Sequence, residues 1–406
     1  MYASWELNQM TMDLFFFDSR EIKKKHSQYY TANELGDDII KLIPFDGNVR
    51  SILDLSAGEG ALLLAASKVY KTAKLVAFDI DPNNVKKLSN INNCISYNRD
   101  ATLEESINLA AKNFIKYDIV VGNPPFKSID KTTYSDCVFK RYGLYSQKDK
   151  IRAEVLFLLV SLDLLRKGGI AAFILPDGFF TNVSFSELRK NITDNYNILS
   201  VVEVPSKSFV GTEARTHIII IKKECPGDRI LLKSLNDQGV EIYISRNNFV
   251  GRGDFKYHSL PVPINTIPLG ELDVEIIRGS KSVFNRYPSL LSIHTNSFGC
   301  KPQFFKENTL ITQNVNMKVA RKNDIVIPRV GTRVIGKYGV IKDGYFRVSE
   351  CIIIIRTSCE NIFDMILSSL ESDFGQKWLI TAAKGVGAQH ITIDIMKEFP
   401  VFMEKA

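Results

Sequence analysis

Asp118-Ile119-Val120-Val121-Gly122-Asn123-Pro124-Pro125-Phe126, residues 118–126, decides the fold. Its β-branched run reads as a buried strand, and Gly122 ends it. The loop that follows is stiff, because proline fixes φ and removes a backbone donor. It presents the Asn123 amide, an outward Pro124 carbonyl and the Phe126 ring in a fixed arrangement. Two oxygen acceptors beside a flat ring suit a planar amino group such as a nucleobase carries. A purely structural turn would use the same prolines, so the neighbouring stretches must decide.

On the N-terminal side, Val49–Leu55 reads as another buried strand, followed by the glycine turn Ser56-Ala57-Gly58-Glu59-Gly60 and helical character over Ala61–Val69. Strand, glycine turn and helix make the first unit of a nucleotide-type site. Lys74–Ile80 is a second strand, with Asp79 near its tip, where such folds hold ribose hydroxyls. Asp81 before Pro82 reads as a helix cap. Cys94–Tyr97 is a third strand and leads to Asp100. On the C-terminal side, residues 127–150 are polar, with Tyr134, Tyr142 and Tyr145 interleaved, and read as a loop or lid. Beyond them come an apolar helix (Ile151–Leu165), a strand (Ile170–Leu175), a helix (Phe185–Asn195) and the strands Ile198–Val204 and Thr216–Lys222. The alternation predicts an α/β fold: a seven-stranded Rossmann-like sheet, helices on both faces, and an antiparallel end pair. Asp54 to Gly60, Asp79, Asp100 and Asn123 then all fall at the carboxyl ends of strands, where open sheets bind ligands.

A chain of 406 residues predicts two or three domains. The rhythm changes near Lys223-Glu224-Cys225-Pro226-Gly227-Asp228, which places a first domain at 1–225. Residues 226–267, with Pro261 and Pro263, read as a linker or the start of a second domain. Residues 268–406 read as a smaller mixed α+β domain, with strands at Asp324–Pro328, Val334–Val340 and Glu350–Arg356 and a helix at Ile362–Ser372. Net charge is +7; residues 226–406 hold 23 Lys+Arg against 18 Asp+Glu, and residues 1–225 hold 29 against 27. That mild excess allows a polyanion partner. The six cysteines are scattered without a CxxC pair, so no metal site is expected and reduced intracellular thiols are. Leu14-Phe15-Phe16-Phe17 is too short for a signal segment or a membrane span, which makes a cytoplasmic location the expectation. Glu21-Ile22-Lys23 has the form of a nuclease triplet but no nuclease domain around it, and reads as a solvated helix face.

Taken in order, these motifs resemble the N6-adenine DNA methyltransferases over roughly residues 28–222, in the subgroup whose catalytic domain precedes a target-recognition domain. The resemblance implies S-adenosylmethionine as methyl donor. Tyr30 and Thr31 would pack on it, with Ala32 where the family commonly has Pro. Asp54, Ala57 and Gly58 would hold its methionine part, Asp79 its ribose, Ile80 its adenine ring and Asp100 its amino group. Ala101 stands where an aromatic residue often follows that acid. Asn123, beside the cofactor, with Pro124, Pro125 and Phe126 would act on an adenine flipped from duplex DNA, and Phe209 would supply a second stacking ring. The C-terminal part resembles the target-recognition domains of type I restriction specificity subunits, through Asp324–Gly331, Gly385–Ile391 and Phe399-Pro400. That makes Arg329, Arg333, Lys337, Lys384 and Gln389 candidates for phosphate or base contacts. The expectation is a site-specific, adenine-specific methyltransferase of a restriction–modification system, acting as a monomer on double-stranded DNA beside a separate restriction endonuclease, with no membrane partner. An RNA or protein amino-group methyltransferase, and a DNA-binding specificity factor with a weak catalytic domain, are the alternatives.

Overall fold

A computed structural model describes residues 33–45, 47–145, 147–205, 215–237, 239–299, 302–307, 318–385 and 389–403. The chain divides into two units, residues 1–255 and 256–406. Strands of the first unit are β1 (Ser51–Asp54), β2 (Lys74–Asp79), β3 (Cys94–Asn98), β4 (Tyr117–Gly122), β5 (Ser128–Asp130), β6 (Lys150–Arg152), β7 (Leu165–Pro176), β8 (Asn197–Val204), β9 (Thr216–Lys222), β10 (Arg229–Ser234) and β11 (Ile242–Ser245).

Nine of these form one sheet in the order β11-β10-β8-β9-β7-β4-β1-β2-β3. From β3 to β7 the neighbours are parallel, and β9 is inserted antiparallel between β7 and β8. Strands β1 and β4 are buried along their whole length, as expected of strands covered on both faces. Ile52, Leu75 and Ile119 belong to one apolar layer, with the helices Asn33–Lys41 and Ala61–Val69. Leu53, Val76 and Val120 belong to the other, with the helix Ala153–Leu164. The period of two along each strand thus builds both layers. Within the deciding stretch, Asp118 serves the fold at the far end of β4 from the loop. Its carboxylate accepts from Arg50 N, Ser51 N and Arg166 Nε. Burial pushes this carboxyl up, but those donors outweigh it and hold it below the usual carboxylate range.

Seven strands are expected from the sequence; the sheet has nine. The two extra strands lie past residue 225, where β10 joins parallel to β8 and β11 pairs antiparallel with β10. β10 is buried only at alternate positions, and β11, at the sheet's edge, only in part, so both carry little apolar signal. Arg189, in the helix Ser186–Asn195, ties the segment beyond them to the same unit. Its guanidinium is fully buried and donates to the carbonyls of Phe179, Asn182, Phe249, Val250 and Gly251. Burial lowers its pKa to about 10, still well above neutrality.

Residues 127–150, expected as a loop or lid, hold regular structure instead. The hairpin β5–β6 encloses a helix, Thr133–Arg141. Thr132 and Ser135 exchange side-chain and backbone bonds at its start, a capping box. The Tyr142 hydroxyl donates to Leu159 O at 3.1 Å and to Asp163 at 2.8 Å, which ties the helix to Ala153–Leu164. The polar composition there reflects an exposed face over a few fixed anchors.

The second unit holds β12 (Thr266–Pro268), β13 (Glu275–Arg278), β14 (Ser292–Ile293), β15 (Gln303–Lys306), β16 (Val319–Arg321), β17 (Ile325–Pro328), β18 (Gly339–Asp343), β19 (Tyr345–Val348), β20 (Ile352–Arg356) and β21 (Pro400–Phe402). They form a five-stranded sheet, β13-β20-β17-β18-β15, a three-stranded sheet, β14-β19-β16, and the pair β12-β21. Most of the stretch expected as a strand at Val334–Val340 is a turn, with Gly336 at φ 88°, and only its end enters β18. A helix Asp373–Ala382 follows Glu360–Glu371 directly, and its Trp378 packs edge-on to Phe399 at 5.5 Å. Arg356 donates twice to the buried Asp324, at 2.7 and 2.8 Å. Among the described residues no helix is long and apolar enough to cross a membrane.

Candidate active site

A cavity of about 510 Å³ lies at the carboxyl ends of β1 to β4. The turn after β1 sets its floor. Ala57 N donates to Phe78 O and Gly60 N to Ala57 O, both at 2.9 Å. Gly60 has φ 90°, and a Cβ there would come within 2.8 Å of Leu88 and Ile91, so only glycine fits. Asp79 is the keystone. One carboxylate oxygen accepts from Gly58 N at 2.7 Å; the other accepts from Asp81 N at 2.8 Å and Asn84 Nδ2 at 3.1 Å. Asp81 has the separate task of capping the helix Pro82–Leu88, through Asn83 N at 2.8 Å. Asp54 accepts from Ser56 N at 2.9 Å. Burial pushes its pKa up to about 7; the Ser56 N–H opposes this and the Asp79 charge adds to it. Burial also raises Asp79, against its three donors. One oxygen of Asp100 holds Thr102 N at 2.9 Å and Thr102 Oγ1 at 2.7 Å.

The opposite wall starts where β4 ends. A Cβ on Gly122 would come within 2.9 Å of the Phe173 ring, so glycine lets β4 lie close against β7. Asn123, Pro124, Pro125 and Phe126 then line the cavity. Lys127 N donates to Pro125 O at 3.0 Å, and Ala153 N to Lys127 O at 2.9 Å, which fixes the turn's exit. Phe126 packs half-buried against the apolar layer of Ile119.

Gly58, Asp79, Ile80, Asp100 and Asn123 therefore share one cavity with Pro124, Pro125 and Phe126. Asp54 and Ala57 stand behind its wall and hold the turn. Tyr30, Thr31 and Phe209 lie outside the described residues. Ser56, Arg99, Lys127, Thr132, Lys150 and Phe157 also line the cavity and were not read from the sequence. Phe157 sits in a helix apolar on every side, where nothing marks one ring as special. It brings an aromatic ring to the cavity that the small, buried Ala101 does not.

In the second unit the two sequence signatures lie side by side. Val330 and Lys384 each bridge to His390, Gly331 N donates to Gln389 O at 2.8 Å, and Ile391 N to Arg329 O at 2.8 Å. Arg329 Nε donates to Ile391 O at 3.1 Å. Lys384 and Gln389 are buried, Lys337 is half-buried and Arg333 is exposed. Arg329 and Gln389 thus join the two segments, Lys384 pairs with His390 within the second, and Arg333 and Lys337 keep access to solvent.

A doubly wound α/β sheet with a glycine turn and strand-tip acids around a cavity defines a nucleotide-cofactor domain. Residues 15–251 match the family described as N-6 DNA Methylase, and the chain belongs to that family. It is 25% identical over 276 residues to the type II methyltransferase M.VspI of Vibrio sp. (strain 343), covering 65% of this chain. It is 24% identical over 276 residues to the type II methyltransferase M.CvrRI of Paramecium bursaria Chlorella virus XZ-6E, covering 66% of this chain. The chain spans 62% of the length of each of these two relatives. Among solved structures, the type IIG restriction endonuclease BpuSI shares the fold with a TM-score of 0.52 at 14% identity, over 92% of this chain and 58% of that one.

Family membership implies S-adenosylmethionine as the methyl donor. The cavity suits it. Asp79 and Asp100 offer acceptors to hydroxyl and amino groups, and Ile80, Leu156 and Phe157 offer apolar surface to a purine. The volume lies within the range of small-molecule cofactor sites, about 300–1,000 Å³.

Proposed function

We propose that the chain is a site-specific DNA methyltransferase of a restriction–modification system, which methylates N6 of an adenine flipped out of duplex DNA. Residues 1–255 carry the chemistry and residues 256–406 recognise the target. The observation that supports this best is that Asn123, Pro124 and Phe126 share one cavity with Asp79 and Asp100. S-adenosylmethionine, when bound, supplies an electrophilic methyl group. Adenine N6 is a weak nucleophile whose lone pair is drawn into the ring. The Asn123 side-chain oxygen and the Pro124 carbonyl each accept one amino hydrogen, which favours a lone pair directed at the methyl group and stabilises the positive charge growing on nitrogen. Flipping the base out costs a few kcal/mol, and stacking on Phe126 returns about 1–3 kcal/mol. Asp79 and Asp100 hold the cofactor's hydroxyl and amino groups. In the second unit the exposed Arg333 and the half-buried Lys337 are the candidates for phosphate contact.

The test is incubation of the protein with methyl-labelled S-adenosylmethionine and unmethylated genomic DNA, followed by nucleoside analysis. Label in N6-methyladenine is expected. Asn123→Ala should lower the rate by about 10²–10³, the scale of losing one preorganised charge-stabilising group. Label in RNA or protein with none in DNA would overturn the proposal.

A further inference from the structure

The cavity wall changes character past Phe126. Near β1 to β3 it carries Asp79 and Asp100 with Arg99 between apolar neighbours; at and just before the β5–β6 hairpin it carries Lys127 and Lys150, with Asp130. S-adenosylmethionine bears a sulfonium, an ammonium and one carboxylate, so a pair of lysines is not what it calls for. Lys127 is half-buried, and among the described residues it makes no ion pair. A partly desolvated ammonium without an anion is unfavourable and gains when one arrives. Among the described residues, the ion pair of Lys150 is to Asp130 at 3.9 Å and joins side chains that are 67% and 88% exposed, so a stronger anion displaces it readily. Neighbouring cations are already engaged, Lys140 with Asp136 and Arg141 with Asp163. Residues 127–152 as a whole carry seven Lys/Arg against three Asp and one Glu residue, Glu154, if the range is extended by two. Lys127 also directly follows Phe126, and its carbonyl is held by Ala153 N at 2.9 Å, so its origin is fixed beside the stacking ring.

We propose that Lys127 and Lys150 bind backbone phosphates of the DNA strand that carries the target adenine, next to the nucleotide whose base reaches Phe126. The assignment rests on the methyltransferase reading above. A base entering this cavity brings its own phosphates to the cavity mouth, and those are the anions the two lysines fit.

The test measures binding of a labelled random-sequence DNA duplex by fluorescence anisotropy across a salt series, with S-adenosylhomocysteine present. Calorimetry on the same proteins gives S-adenosylhomocysteine affinity. Lys127→Ala should make the plot of log affinity against log salt shallower by about 0.9, and adding Lys150→Ala by about 0.9 more. Lys127→Arg should keep the wild-type slope, and S-adenosylhomocysteine affinity should be unchanged throughout. Wild-type slopes in both alanine variants would overturn the proposal. So would a parallel loss of S-adenosylhomocysteine affinity, which would assign the lysines to the cofactor. Wild-type protein that binds the duplex but not S-adenosylhomocysteine would overturn the methyltransferase reading, and with it the placing of Lys127 beside a flipped base.

Discussion

Asp79 does two jobs with one carboxylate. It gathers Gly58 N, Asp81 N and Asn84 Nδ2, and it lines the cavity. Asp79→Ala therefore leaves the buried Asn84 amide unpaired, at about 1–3 kcal/mol, and two part-buried N–H groups to find water. We expect S-adenosylhomocysteine affinity to fall by tenfold or more in calorimetry, with Asp79→Asn in between because its amide keeps one acceptor. Unchanged affinity in the alanine variant would refute the role. Asp54, one layer back, predicts a pH effect. Its pKa is about 7 when folded against an ordinary 3.8. Between those values the folded protein keeps a proton that the unfolded chain has lost, so stability falls as pH rises through that window and levels off above it. The full effect is on the order of 4 kcal/mol for a shift of about three units. Asp54→Asn cannot titrate, so its stability, measured by urea denaturation over the same pH range, should lack this component. Equal slopes for both proteins would count against it. Asp54 and Asp79 were both legible in the sequence as acids at strand tips. That one faces the cavity and the other backs it was not, because each ends a parallel strand buried on both faces, where the apolar pattern does not tell one face from the other.

Elements differed in legibility for physical reasons. β1, β2 and β4 are nearly continuous apolar runs buried on both faces, and their glycine and acidic tips mark where they end. The β5–β6 hairpin has three-residue strands around a polar helix, so its local signal is weak and only the Thr132–Ser135 cap hints at it. Val334–Val340 misleads in the other direction: its apolar residues bury in a turn, which Gly336 permits at φ 88°. Arg189 was invisible as a structural residue, because an arginine on a helix usually faces water. Its removal should be severe. Arg189→Leu removes the side-chain donor from five carbonyls, of which Asn182 O keeps a bond from Phe185 N. A loss of about 3–5 kcal/mol is expected in chemical denaturation, the scale of breaking a buried charged network. A loss under about 1 kcal/mol, no more than a typical surface change, would show that the carbonyls find other partners.

Arg189 also sets the boundary of the first unit. Its carbonyl partners at Phe249, Val250 and Gly251 lie beyond both added strands, and Phe249 is buried in the same core as Phe180. A chain ending at residue 225 loses β10 and β11, exposes the edge of β8 and leaves a buried guanidinium with two of its five carbonyls. An exposed strand edge invites aggregation, and an unpaired buried charge disfavours the folded state. A fragment of residues 1–255 keeps all of these. We expect it to unfold cooperatively and to bind S-adenosylhomocysteine with the affinity of the whole chain, because the described cavity is lined only by residues between Leu55 and Phe157. A fragment of residues 1–225 should instead aggregate, or show the broad transition of a loosely packed state. The composition break near Pro226 marks a turn between β9 and β10, and a turn inside a sheet looks the same in sequence as a turn between domains. Cooperative unfolding and full affinity in the shorter fragment would mean that β10, β11 and the Arg189 carbonyls are an appendage, and that the unit ends where the composition changes.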